Sequence, residues 1–151
     1  MSLCKRLADN DPEFDHLILS KECQNVIKVF EALKSNQTII FLTFQAKFFT
    51  PVYFSALIEL LAIKPFTGLI FKKNILTFEQ LKSLLLNCTS VVSISLIQCK
   101  LNDDHIPLLA AFVSANPNLK DLNLQGNYFS SEGLAVLNNL RVLKMNCVIF
   151  N

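Results

Sequence analysis

Four consecutive residues, Asn102-Asp103-Asp104-His105, place two carboxylates beside an imidazole, the side-chain set of a hydrolytic metal site or of a general base with a carboxylate to orient it. The same residue types also open helices. An Asn accepts hydrogen bonds from the free N–H groups of a first turn, and aspartates there lie favourably against the helix dipole. Ile106, Leu109 and Phe112 follow at helical spacing, so the cluster is expected to cap a helix. A second candidate is His16 beside Asp15, with Cys23 as a thiol that only the fold could bring to it. The five cysteines (Cys4, Cys23, Cys88, Cys99, Cys147) include no C-x-x-C pair, which leaves neither a zinc set nor a redox dithiol. Free, mostly buried thiols of a reducing compartment are expected. With three glycines in the chain, no phosphate-cradling loop can be written. The expectation is therefore a protein that is not an enzyme, with no catalytic residues, no metal and no cofactor.

The surroundings of these residues narrow the partners. A 151-residue chain that is 52% hydrophobic and 17% charged, with mean hydropathy +0.40, is one well-filled domain. Its net charge of +2 supplies little to hold a phosphate backbone or an anionic membrane, so no nucleic acid is expected. The apolar stretch from Thr38 to Phe66 is broken by Gln45, Lys47, Glu59 and Lys64, and no membrane span is expected. The N-terminus has basic residues with no apolar run behind them, unlike a secretory signal.

What positions the side chains is a repeat. From Leu119, LKDLNLQGNYF reads L-x-x-L-x-L-x-x-N-x-F, and the same frame starts at Phe14, Ile39, Phe66 and Val91, with a last partial copy at Leu140. Asn74, Cys99 and Asn127 hold the Asn slot, where a buried amide or a small thiol can satisfy backbone groups of the turn. Glu22 and Lys47 fall at that slot in the first two units, whose turns are expected to be irregular or to face solvent. Eleven residues beyond the first five starts stand Asn25, Thr50, Thr77, Asn102 and Ser130, all good N-caps. Pro51 follows Thr50 at the first helical position, and Gln80 completes a capping box with Thr77. Apolar residues then return at helical spacing, as at Phe54, Leu57, Ile58 and Leu61, or Phe78, Leu81, Leu84 and Leu85.

Over residues 14–150 this pattern resembles the leucine-rich repeat family, and its longer units resemble the ribonuclease-inhibitor-like class, in which a helix follows each strand. The resemblance implies an α/β solenoid of about five to six repeats, with a curved parallel sheet on the concave side and helices on the convex side. Residues 14–151 would form this single domain behind an N-terminal cap of residues 1–13, with Leu3 and Leu7 covering the first repeat. Abundant Asn, Lys, Ile and Phe without Trp resembles chains of AT-rich genomes, and a short repeat array is similar to the effectors that intracellular bacteria deliver into host cells. On that resemblance the location is cytoplasmic, or a host cell. The function the resemblance implies is a protein-protein interaction module, as a secreted effector acting on host proteins, with a repeat fragment or regulatory domain of a larger enzyme as the alternative.

Strand alternation then assigns the outward columns. The central one is Ile18, Thr43, Ile70, Ser95, Asn123 and Lys144; before it come His16, Phe41, Gly68, Ser93, Asp121 and Val142, and after it Ser20, Gln45, Lys72, Ile97, Gln125 and Asn146. Phe41, Thr43, Ile70, Lys72, Ser95, Ile97, Asp121, Asn123 and Lys144 are the residues expected to bind a partner protein, an apolar centre with a polar rim. The plainer reading is that they are ordinary exposed side chains. The strand from Leu140 to Phe150 has no helix after it, and its edge is a second candidate contact, for self-association.

Overall fold

The computed structural model describes residues 2–140 and the backbone of strand 146–148. Six parallel strands form one sheet in strict chain order: β1 (His16–Leu19), β2 (Phe41–Phe44), β3 (Gly68–Lys72), β4 (Ser93–Ile97), β5 (Asp121–Asn123) and β6 (Asn146–Val148). Parallel neighbours need a crossover rather than a hairpin. Helices supply it: α2 (Val26–Ser35), α3 (Pro51–Ile63), α4 (Phe78–Asn87), α5 (Ile106–Ala115, preceded by a 3-10 turn at Asp103–His105) and α6 (Ser131–Asn139). The α1 helix (Leu3–Ala8) buries Leu7 against the first unit, and the Asn36 amide donates to the Leu7 carbonyl (2.8 Å). None of the helices in the described residues is long and apolar enough to cross a membrane.

The core is made of the repeated strand positions. Leu17, Leu42, Leu69, Ile94 and Leu122 stand side by side across the sheet, with Leu19, Phe44, Phe71 and Leu96 two residues on, all buried. Each such side chain removed from water contributes about 1.5–3 kcal/mol. Behind the strands, Asn127 donates to the Leu96 and Leu124 carbonyls (2.7 and 2.8 Å) and accepts from the Cys99 and Leu101 N–H groups (3.0 Å each). Asn74 likewise donates to the Phe44 and Lys72 carbonyls and accepts from the Phe48 N–H. These bonds stitch one turn to the next.

One expectation is met here and two are corrected. The second turn is irregular and Lys47 faces solvent as expected, because the turn is one residue longer between Phe44 and the left-handed residue that follows. Lys47 has φ 57°, like Lys73 at 54°, and stays in solvent, while Phe48 enters the core. Asn25 precedes α2 but makes no side-chain cap, since its own φ of 55° departs from the extended backbone that a capping side chain needs. The last repeat does not start at Leu140, whose N–H donates to Leu137 O at 3.1 Å and closes α6. Asn146 pairs with Asp121 and Val148 with Asn123, so Val148 takes the place expected of Lys144. Lys144 itself lies outside the described residues, as does most of the strand expected from Leu140 to Phe150.

Candidate functional site

The residues with chemistry of their own are held in structural work. Asn102 Oδ1 accepts from the Asp104 N–H (3.2 Å), and the Asn102 N–H donates to His105 Nδ1 (3.2 Å), a reciprocal cap. Asp103 turns to the next unit: its Oδ1 accepts from the Ser130 N–H (2.9 Å) and its Oδ2 from the Ser130 hydroxyl. The Ser130 hydroxyl, then its N–H, holds the Asp103 carboxyl below the usual aspartate range. His16 and Cys23 are not brought together as a pair. His16 Nε2 lies 2.8 Å from Thr43 Oγ1, and Cys23 Sγ accepts from the Ser20 N–H at 3.3 Å. Burial pushes the Cys88 thiol up to about 12 and that of Cys99 to about 11, so both stay protonated and unreactive near neutrality. Lys64 is buried with its ammonium on the Asn36 carbonyl, and burial lowers its pKa. Among the described residues, no group of three or more His, Cys, Asp or Glu could hold a metal ion.

The outward columns are set by the observed register, with Ile18, Thr43, Ile70, Ser95 and Asn123 in one row and His16, Phe41, Gly68, Ser93 and Asp121 in the next. Exposure along them is uneven. Ile18, in the row but not among the residues expected to bind, is 52% exposed. Phe41, Ile70, Ser95, Ile97, Asp121 and Asn123 are half-buried, and Lys72 is exposed. Thr43 is a correction: it points out of the sheet but is only 4% exposed. It stands between Ile18 and Ile70, one strand spacing of about 4.8 Å from each, and the His16 ring reaches over to it, with Nε2 2.8 Å from Thr43 Oγ1.

Phe41 lies down instead of standing clear. A Cβ at residue 68 would come within 2.4 Å of Phe41 Cδ1, so only glycine lets the ring extend over β3. The His16 ring meets the same ring edge-on at 6.1 Å. The alternation of residue types identifies the face but carries no sign of this, because it depends on which rotamer the ring takes over its neighbour. The result is a band of apolar surface from Ile18 across Phe41 to Ile70 and Ile97, bordered by Lys72, Ser95, Asp121 and Asn123.

A strand-turn-helix unit repeated in chain order around one parallel sheet defines a leucine-rich-repeat-like α/β solenoid. Solved structures with this fold include the tropomodulin C-terminal domain of Caenorhabditis elegans, 18% identical, with a TM-score of 0.69 over 91% of this chain and 87% of that one. Actin-binding site 2 of leiomodin-1 is also 18% identical, with a TM-score of 0.66 over 93% of this chain and 88% of that one. At this identity the likeness is one of fold. No protein-family model and no curated protein matches the chain. The expected likeness to bacterial effectors and to the ribonuclease-inhibitor-like class is overturned by these neighbours, which are tropomodulin and leiomodin domains. A hydrophobic repeat specifies the stacking of units, and unrelated lineages share that physics.

Proposed function

We propose that this chain is a non-enzymatic module that binds a partner protein on its concave sheet. The observation that carries the reading is the apolar band of Ile18, Phe41, Ile70 and Ile97 on a sheet face, where side chains held at half exposure lose little entropy when a partner covers them. Lys72, Asp121 and Asn123 at its border supply orientation. The neighbouring leiomodin-1 domain is an actin-binding site, which makes actin the first partner to test.

Cosedimentation with filamentous actin, using wild-type protein and Ile18→Glu/Ile70→Glu, is the direct experiment. Wild type is expected to pellet with actin, and the double variant, checked for folding by circular dichroism, to bind at least tenfold more weakly. Binding unchanged by the two glutamates would overturn the concave-face assignment. A folded wild-type protein that stays in the supernatant would remove actin as the partner.

A further inference from the structure

The turns that leave the strands carry a second surface. Three of their residues with left-handed backbone are lysines: Lys47 (φ 57°), Lys73 (φ 54°) and Lys100 (φ 59°). Gln98 (φ 53°) and Gly126 (φ 73°) share this conformation in the turns after β4 and β5, and a Cβ at residue 126 would come within 2.5 Å of Gln98 Cγ, so glycine is required there. The three lysines border one groove of about 640 Å³, together with Ile75 and Tyr128, which are 64% and 66% exposed. No carboxylate lines it. Between Lys47 and Lys100 the sequence has two acidic residues, Glu59 and Glu79, and both lie on helices, α3 and α4. Among the described residues none of the three lysines is in an ion pair.

From this juxtaposition we propose that the groove bordered by Lys47, Lys73 and Lys100 docks an acidic, amphipathic polypeptide segment of a partner protein, its carboxylates on the ammonium groups and its apolar side chains on Ile75 and Tyr128. Charge complementarity selects the occupant. Three like charges on successive turns repel one another until an anion is placed among them. The exposed isoleucine and tyrosine favour a polypeptide with apolar side chains over a bare polyanion. This surface shares no residue with the concave band, so the two readings stand or fall separately.

The test is fluorescence anisotropy with a short labelled peptide alternating Glu and Leu, and with labelled oligothymidylate as the competing class of polyanion. Wild type is expected to bind the peptide in a salt-sensitive way and more tightly than the oligonucleotide. Lys47→Glu/Lys73→Glu/Lys100→Glu is expected to weaken the peptide at least tenfold. Lys28→Glu/Lys82→Glu/Lys120→Glu, which makes the same change in net charge at exposed positions elsewhere, is expected to stay within twofold of wild type. If the glutamate variant does not fold, Lys47→Gly/Lys73→Gly/Lys100→Gly replaces it, since glycine is at ease in that backbone. No peptide binding by wild type, equal losses in the groove and control variants, an unaffected groove variant or tighter binding of the oligonucleotide would each overturn the proposal.

Discussion

Cys99 does with a thiol part of what Asn74 and Asn127 do with an amide. Its Sγ donates toward the Ile97 and Phe71 carbonyls at 3.4 and 3.6 Å, with the Asn74 N–H against it on the other side. A thiol is a weak donor and a weak acceptor. Cys99→Asn is therefore expected to raise stability by about 1 kcal/mol, and Asn127→Ala, which strips partners from four backbone groups, to lower it by about 3 kcal/mol or more. Urea unfolding of the two variants against wild type checks both; a destabilised Cys99→Asn would mean that the slot is too tight for the amide. The slot itself was legible from spacing alone, because the repeat brings a small polar residue to the same place in three units. That Phe48 takes the inward place in the second unit was not, since one additional residue in a turn shifts the phase without disturbing the flanking apolar pattern.

At the scale of elements, helix starts were the most readable feature. Thr50, Thr77, Asn102 and Ser130 each accept a first-turn N–H, and Gln80 returns the bond to Thr77. What spacing did not reveal is that Asp103 reaches from the α5 entrance to the α6 cap and so couples two units. Because the fold holds the Asp103 carboxyl below its ordinary value of 3.8, its contribution is present above that pH and fades as acid carries the solution down through the folded-state value. Wild type is thus expected to have a higher urea midpoint than Asp103→Asn at pH 7, with a narrower gap at pH 3. An equal gap at both pH values would show that the carboxylate's charge is irrelevant to the link.

For the whole molecule, packing is concentrated in the second and third units. Phe44 is fully buried, stacked on Phe71 at 5.0 Å, with Phe49 at 4.9 Å and Phe48 at 5.4 Å; Phe30 meets Phe48 from α2. A solenoid's stability is approximately the sum of its units and the interfaces between neighbours. The amides of β2 and β3 are therefore expected to exchange most slowly, and Phe44→Ala to cost about 3–5 kcal/mol and to accelerate exchange first in β1 and β3. Hydrogen exchange read by mass spectrometry tests this; uniform acceleration along the chain would show that the array opens as one body. The repeat period, the buried columns and four of the five expected helix caps were written in the residue types, because each is a local preference recurring at a fixed interval. Thr43's burial, the Phe41 ring lying over Gly68, the register of β6 and the three lysines around one groove were decided only in three dimensions. They depend on how side chains from different units meet, and no interval along the chain encodes that.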